Sequence, residues 1–483
     1  MGIEFRRSEL LVVAIAAASA AAWTDDVLGA AAVLVLWLTL RLVMTDDRIP
    51  VLAAVCSYQW MQVTIGLFYA AATGHVLKTM VDSEYRPMMF VGLGCVLSLA
   101  AGLRLGIYLV RDDRENREER PLSFLSMPVL LSIYVVSVLS EGAILGAISD
   151  YPSLRQILIT ITVVRFGLLF LVMRRFCHPV FRPHLLTAVL VVEVLLGFTG
   201  YFANFKEPLV LAAIVLFEVF DYRKTRHWAA MAVVVLLMAG LSFMWMGVRG
   251  SYRRSIDQMD PLLTTKTARV GRVNSLATEF FATETAQLTN TADELIDRMW
   301  AIYYPAKALT RVPAVLDHTG GSIISAAITH VLTPRVFFPD KAPLQSDSEM
   351  VRKYSGIFVA GEEQGTSIAF GYAAESYLDF GIPWMFLPVL IFGGVMGAIY
   401  AWFLRTIWHR ELAVSVVIVV FWMSMYLFER SWANLLGMAA SLVIYVGLPI
   451  TLLDHFLVVK QKRRDAQRAD DDTFRMHFDT RHG

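Results

Sequence analysis

Long apolar segments are the feature that most constrains this chain. A helix needs about 20 apolar residues, within a range of about 17 to 25, to cross the hydrocarbon layer of a membrane. About twelve segments come near this requirement, at residues 8–23, 27–44, 51–71, 88–110, 125–148, 154–173, 185–203, 207–221, 228–247, 383–404, 411–428 and 432–457. Of the 483 residues 56% are hydrophobic and 18% are charged, whereas soluble domains carry about 25% charged residues. The sequence therefore predicts an all-α polytopic membrane protein with about twelve transmembrane helices.

Positive charge is concentrated in a few short connectors. They lie at residues 111–120, 174–182, 223–226 and 405–410, together with the tail from Lys460 to Arg468. Short connectors rich in Lys and Arg stay on the cytoplasmic side, and the predicted spans place all of these connectors on one side. We therefore expect both termini to be cytoplasmic, the first apolar run to be a span rather than a cleaved signal peptide, and the charge to report topology rather than nucleic-acid binding.

One insert interrupts the pattern of short loops and divides the chain into four regions. We predict an N-terminal transmembrane bundle of about nine helices at residues 1–247, a periplasmic loop with amphipathic helices at 248–382, C-terminal transmembrane helices at 383–457, and a disordered cytoplasmic tail at 458–483. A structureless loop as long as this insert is improbable in a compact fold.

Two helices are predicted inside the insert. The first begins at a cap on Thr291, buries Leu295 and Trp300 on one stripe, and is kinked or ended by Pro305. The second spans Ser322–Val331.

No metal site, disulfide framework or cofactor is predicted. Cys56, Cys95 and Cys177 lie in or beside apolar segments, so neither structural disulfides nor redox chemistry is indicated. The histidines show no spacing typical of a transition-metal site.

Charged residues within the apolar segments are costly unless they are paired. Arg165 and Glu193 lie at similar depth in neighbouring segments, which favours a structural ion pair. Glu141 is a weaker candidate for the lining of a site. Asp25 and Asp26 form an acidic pair in the first outer turn.

Several cations lie on the outer side, where positive charge is unexpected. Lys206 occupies an outer turn within "YFANFKEPLV", and Arg249 and Arg253 follow the ninth span in "GVRGSYRRS". These cations could bind phosphate groups at the membrane surface. Equally, Lys206 could pair with Glu207, and the arginines could bind anionic lipid.

The stretch "HVLTPRVFFPDKAP" lies late in the insert, at residues 330–343. Pro334 and Pro339 hold the backbone extended on either side of Arg335, while Phe337 and Phe338 can anchor in apolar surroundings. This pattern indicates that the stiff backbone holds the side chain of Arg335 in one fixed orientation.

Further along, Glu375 and Asp379 are four residues apart on one face of a predicted helix. A carboxylate near arginines could act as a general base, or it could belong to a surface ion-pair network. His75, His318 and His330 are also predicted on the outer side, where each alone is more often a polar core residue than a catalyst.

With these residues identified, the chain resembles the Wzy-type polymerases of O-antigen and oligosaccharide repeat units. The resemblance rests on the many-spanned layout, the late periplasmic loop, and the motifs "NFKEPLV", "TPRVFFPDKAP" and "GTSIAFGYAAESYLDFG". It implies a GT-C-type fold in the bacterial inner membrane. It also implies a metal-independent transfer of a growing glycan from undecaprenyl pyrophosphate onto the non-reducing end of a lipid-linked repeat unit.

The resemblance further implies roles for the outer cations. Arg335, Arg249 and Lys206, with Arg253 beside them, would bind the pyrophosphate of the donor, and Arg335 and Arg249 would be catalytic. Glu375 is the first candidate for the general base and His330 the second. The partners would be the lipid-linked donor and acceptor, the bilayer and possible chain-length regulators. Many members of the family have a second long periplasmic loop with its own basic motif, whereas the earlier outer loops here are short.

Three alternatives stay open at this point. An O-antigen ligase shares the architecture but transfers glycan to a lipid A core. Other polyprenyl-linked-sugar glycosyltransferases use an acidic pair in a longer first outer loop, which "TDD" at residues 24–26 matches only in composition. A flippase or transporter of lipid-linked sugar would place more charge within its spans and show internal repeats.

Overall fold

A computed structural model of the protein describes residues 7–44, 49–110, 125–151, 154–178, 180–197, 205–221, 223–257, 285–335, 337–338, 340–341, 343–361, 363 and 366–460. Side chains are described in these ranges except at residues 145–146, 148–150, 249–257 and 285–289. The described residues form helices and no strand, so the predicted all-α class is confirmed. The basic connector at residues 111–120 and the tail predicted to be disordered after Lys460 lie outside these ranges.

The helices follow one another with short connections on both sides of the insert. In chain order they are α1 (Arg7–Thr24), α2 (Val27–Val43), α3 (Val51–Thr73), α4 (Lys78–Asp82), α5 (Tyr85–Val110), α6 (Met127–Asp150), α7 (Arg155–Cys177), α8 (Pro183–Gly197), α9 (Lys206–Glu218), α10 (Thr225–Asp257), α11 (Thr285–Met299), α12 (Tyr303–Arg311), α13 (Ser322–Leu332), α14 (Asp347–Ser355), α15 (Tyr372–Phe380), α16 (Phe386–Thr406), α17 (Arg410–Met425) and α18 (Trp432–Lys460, with a π-helical turn at Val443–Gly447). Each of the twelve predicted apolar segments overlaps one of these helices.

Eight helices are long and apolar enough to cross a membrane. They are α1, α3, α5, the first part of α6, α7, the first part of α10, α16 and α18. The other four helices in the predicted segments, α2, α8, α9 and α17, have only 13 to 17 residues. Helices of that length extend about 20–26 Å, which is less than the hydrocarbon thickness of about 30 Å. The fold is therefore all-helical with eight candidate membrane-spanning helices, and the count of twelve stays a prediction.

The insert contains five helices, α11 to α15, within its described residues. The predicted start at Thr291 is wrong, because α11 begins at Thr285 and the residues before Thr291 continue the helix. Pro305 does not end α11, which stops at Met299; it lies instead in the first turn of α12, where a missing N–H costs little. The predicted second helix is confirmed as α13.

Direct backbone contact joins α5 to α16, and so ties the end of the insert to the N-terminal part of the chain. A β-carbon on Gly106 of α5 would overlap the carbonyl oxygen of Gly394 in α16, and one on Gly102 would overlap the carbonyl oxygen of Leu390. Small residues allow this close approach between apolar helices. The position of α16 is therefore set by glycines in α5.

A charged cluster links α6, α7 and α8 within the apolar bundle. Arg165 of α7 pairs with Glu141 of α6 and, at 3.3 Å, with Glu193 of α8. Tyr134 donates its hydroxyl hydrogen to Glu193. The predicted Arg165–Glu193 pair is confirmed, and Glu141 is its second carboxylate. Such pairing is what a buried arginine requires.

Candidate functional site

Arg335 lies exposed just beyond the C-terminal end of α13. His330 lies in the last turn of the same helix, and Lys341 donates from Nζ to the carbonyl oxygens of His330 and, at 2.8 Å, of Thr333. Burial, followed by the positive charges of Lys341 and Arg335, lowers the pKa of His330. The structure therefore brings His330, Arg335 and Lys341 together, with Lys341 bound to the carbonyl end of the helix. Within the part of the chain that the structure describes, no ion pair of Arg335 is found.

Glu375 and Asp379 lie on α15, as predicted, but both are buried, with 2% and 1% of their surface exposed. Glu375 accepts the backbone hydrogen of Trp432 at 2.7 Å, at the start of α18. Asp379 accepts the backbone hydrogens of Ile323 and Ile324 at 3.0 and 2.9 Å, at the start of α13. Each carboxylate thus caps another helix, and a surface ion-pair network is excluded. Burial raises the pKa of Glu375 to about 8, and its role as a general base stays a prediction.

The other predicted cations lie on α9 and α10. Lys206 is the first residue of α9 and is exposed. Arg249 and Arg253 lie in the last turns of α10, which continues to Asp257 instead of ending near the predicted boundary at 247, but their side chains are outside the described part of the structure. A phosphate site that Lys206 and these arginines share with Arg335 therefore stays a prediction.

A cleft of about 250 Å³ opens where α11 and α12 meet α4 and the connector between α17 and α18. Its polar and aromatic lining consists of Lys78, Glu294, Asp297, Arg298, Trp300, Tyr303, Tyr304 and Glu429. Arg335, His330, Glu375 and Lys206 are not among its lining residues. In the sequence, the acidic and basic residues of α11 indicate only the polar face of an amphipathic helix, and they give no signal for this cleft.

The floor of the cleft is held by a buried tryptophan. Trp300 is 1% exposed and donates from Nε1 to the carbonyl oxygen of Val63 in α3 at 2.7 Å. The backbone hydrogen of Ala301 binds the carbonyl oxygen of Gln62 at 3.0 Å. A β-carbon on Gly66 would overlap the indole ring, so α3 needs glycine at this position. The insert is thereby docked firmly on the N-terminal bundle.

Charges of both signs and aromatic rings line the same small volume. Arg298 pairs with Glu429 at 3.2 Å across the cleft, and Nζ of Lys78 lies 5.4 Å from the centre of the Tyr303 ring. Tyr304 lies beside Tyr303, with ring centres 5.1 Å apart. Carboxylates and hydroxyls can bind sugar hydroxyls, cations can bind phosphate oxygens, and aromatic rings offer flat apolar surface.

A second polar group lies beside the cleft, one residue away from Glu294 along α11. Asp293 binds Nδ1 of His75 at 3.0 Å and accepts the hydroxyl hydrogen of Tyr69 at 2.6 Å. Burial would raise the pKa of Asp293, but the hydrogen bonds from Tyr69 and His75 outweigh it and lower that pKa. When Nδ1 carries the hydrogen, Nε2 of His75 is an acceptor. No sequence signal links His75 to an aspartate more than two hundred residues away.

Comparisons with other proteins give one match. No curated protein and no solved structure is significantly similar to the chain. The sequence profile of the family described as "Domain of unknown function (DUF8712)" matches residues 94–403, which is more than half of the chain. The matched region includes α11 to α15, Arg335 and the insert side of the cleft, whereas Lys78 and Glu429 lie outside it. The chain belongs to this family, described as a domain of unknown function (DUF8712).

Proposed function

We propose that this protein is a glycosyltransferase that polymerises polysaccharide repeat units at the periplasmic face of the bacterial inner membrane. It transfers a growing glycan from undecaprenyl pyrophosphate onto the non-reducing end of a lipid-linked repeat unit. The proposal includes a GT-C-type fold of about twelve spans with both termini cytoplasmic. The supporting observation is the cleft lined by Lys78, Arg298, Glu294, Asp297 and the two tyrosines, on the side of the bundle that carries the insert.

The composition of the cleft suits a saccharide attached to a phosphate. Glu294 and Asp297 provide acceptors for sugar hydroxyls, and Tyr303 and Tyr304 provide ring surface against which a sugar can pack. Lys78 and Arg298 provide the cations that a pyrophosphate needs. A transporter substrate path would instead favour charges along the spans, and the charged cluster around Arg165 is closed by its own ion pairs.

The reaction requires a general base and cations that stabilise the leaving group. The acceptor hydroxyl attacks the anomeric carbon of the donor, the bond from that carbon to the pyrophosphate oxygen breaks, and the hydroxyl proton passes to a base. His75 is half-exposed and oriented by Asp293, so it is accessible to a substrate, whereas Glu375 is buried. Cations stabilise the negative charge on the leaving pyrophosphate, and one well-placed group contributes about 3 kcal/mol.

Two cations are the first to test in the native host: Lys78, which lines the cleft, and Arg335, to which the family resemblance assigns a catalytic role. Arg335→Ala and Lys78→Ala should each lower polymerisation by about 10²-fold, the rate equivalent of about 3 kcal/mol. The lipid core should then carry single repeat units and lose its long chains. Lys353→Ala, at an exposed position of α14, is the matched control and should keep the normal chain-length distribution.

The products distinguish the proposed polymerase from its alternatives. In a ligase mutant, polymer accumulates on undecaprenyl pyrophosphate and none reaches the core. In a flippase mutant, lipid-linked repeats stay on the cytoplasmic face. Normal long chains in both Arg335→Ala and Lys78→Ala, with membrane protein levels equal to those of Lys353→Ala, would refute the proposed role of these cations.

A further inference from the structure

The segment from Ser322 to Lys341 presents large apolar side chains that the described protein does not cover. Leu332 is 73% exposed, Phe337 is 76% exposed and Phe338 is 51% exposed. All three lie within seven residues of one another, beside Arg335. An exposed apolar cluster of this kind marks contact with a partner or a membrane.

Helix α13, which leads to this cluster, runs alongside α18 in the same direction. Both helices begin at α15: two backbone hydrogens of α13 bind Asp379, and the first backbone hydrogen of α18, on Trp432, binds Glu375. At the other end of α13, the side chain of Val331 lies 3.9 Å from the β-carbon position of Gly437. Since α18 is a candidate membrane span, α13 points into the same layer.

The depth reached by α13 follows from helix geometry. The 29 residues of α18 extend about 43 Å and cross a hydrocarbon layer of about 30 Å, so about 6 Å projects at each end. Gly437 is five residues from the start of α18, which is about 8 Å along its axis. The C-terminal end of α13 therefore lies near the boundary between lipid headgroups and acyl chains.

The backbone polar groups of the turn form hydrogen bonds within the protein, as surroundings without water require. Thr333 donates its backbone and hydroxyl hydrogens to the carbonyl oxygen of Thr329, at 3.1 and 2.8 Å. Lys341 donates to the carbonyl oxygens of His330 and Thr333. The carbonyl oxygen of Pro334 accepts the backbone hydrogens of both phenylalanines of the turn, at 3.0 Å each. Internal satisfaction of helix-end carbonyls is required where lipid replaces water.

We infer that the C-terminal end of α13 and the described residues of the turn after it, 333–335, 337–338 and 340–341, insert into the lipid leaflet on the side of the insert, with Leu332, Phe337 and Phe338 among the acyl chains. This places the guanidinium of Arg335 at the level of the lipid phosphates, where arginine binds well. The occupant is lipid rather than a second copy of the chain, because α13 is packed along a candidate membrane span and its turn is internally hydrogen-bonded. Insertion does not depend on the proposed glycan chemistry.

Single-cysteine probes test this insertion. Cys56, Cys95 and Cys177 are buried, so labelling of the native chain should be low. The three variants are Leu332→Cys, Phe337→Cys and Phe338→Cys. Each is labelled with a bimane fluorophore in detergent and then reconstituted at low density into phosphatidylcholine vesicles. The vesicles contain lipids that carry a nitroxide quencher on the acyl chain. Leu236→Cys, 70% exposed in the apolar part of α10, is the lipid control, and Lys353→Cys, exposed on α14, is the water control.

Probes on this segment should report contact with lipid, as the probe at Leu236 does, but at a shallower depth. We expect blue-shifted emission and strong quenching by nitroxide close to the headgroup, whereas the probe at Leu236 is quenched more strongly by nitroxide deeper in the chain. Emission and quenching equal to those at Lys353 would overturn the inference. Blue-shifted emission without quenching by lipid nitroxide would also overturn it, because it would show that protein covers the cluster. Three probe positions guard against one variant that fails to fold.

Discussion

Glu375 and Asp379 lie four residues apart on α15, and they meet different numbers of hydrogen-bond donors. Asp379 accepts two backbone hydrogens of α13 and the hydroxyl hydrogen of Thr319. Glu375 accepts one backbone hydrogen, from Trp432, among the described residues. Burial of Glu375 is therefore poorly compensated, and its pKa rises to about 8. At neutral pH this side chain is mostly protonated in the folded protein.

The pH dependence of stability should change when Glu375 is replaced by glutamine. The folded protein holds the proton up to a pH of about 8, and the ordinary pKa of a glutamate is 4.5. The contribution of this group is therefore full below 4.5 and is lost as pH rises through about 8. Glu375→Gln keeps an acceptor for Trp432 and cannot ionise. The drop in unfolding temperature between about pH 6 and about pH 9, measured in detergent, should be smaller in this variant than in the native protein.

Glu349→Gln, at an exposed position in the first turn of α14, serves as the control for that measurement. It should keep the pH dependence of the native protein. Equal drops in unfolding temperature for the native protein and Glu375→Gln would show that Glu375 is not the titrating group.

Removal of the Arg165 side chain should strongly destabilise the protein. Arg165→Met leaves Glu141 and Glu193 without their cation inside the apolar bundle, and loss of one partner of a buried pair costs about 3–5 kcal/mol. Arg298→Met breaks the more exposed pair with Glu429 and should cost less than about 1 kcal/mol. Denaturant unfolding in detergent compares the two variants. Similar losses would contradict a buried role for Arg165.

Among the elements, α13 depends on side chains from outside the helix at both ends. Asp379 of α15 accepts the backbone hydrogens of its second and third residues, and Lys341 donates to the carbonyl oxygen of His330 in its last turn. An isolated helix of 11 residues is marginal in water even with good helix-forming residues. Its stability therefore comes from these caps and from packing along α18.

Removal of the N-terminal cap should destabilise α13 selectively. Asp379→Ala leaves two backbone hydrogens of α13 without an acceptor, at a cost of about 2–4 kcal/mol, while Asp379→Asn keeps one acceptor oxygen and should cost less. Hydrogen exchange at Ile323 and Ile324 should become faster in Asp379→Ala. Asp340→Ala, at an exposed position after the turn, is the control. Unchanged exchange in Asp379→Ala would show that the cap contributes little.

The whole molecule is held together by contacts between parts that are distant in sequence. Gly106 and Gly394 bring α5 and α16 into backbone contact, and Trp300 anchors the insert on α3. The cleft forms at the second of these attachments, from α4, α11, α12 and the connector after α17, with Trp300 in its lining. Its shape therefore depends on helix packing as much as on its own side chains.

A methyl group between α5 and α16 should destabilise the fold. Gly106→Ala forces the two helices apart, and overpacking of this kind costs about 1–3 kcal/mol. Gly240→Ala adds the same methyl group in α10, where no atom lies within 4 Å, and should be neutral or stabilising by up to about 1 kcal/mol. Thermal unfolding in detergent measures both. Equal midpoints would contradict close packing at Gly106.

The sequence by itself determined the helical class, the positions of the twelve apolar helices, the insert with α13 and α15, and the Arg165–Glu193 pair. These follow from local hydropathy, helical spacing and the cost of unpaired charge in apolar surroundings. Only the tertiary structure decided what individual polar residues contact. It buried Glu375, assigned Lys341 to the end of α13, paired His75 with Asp293, and formed the cleft at Arg298, because these contacts join segments whose separation along the chain carries no local signal.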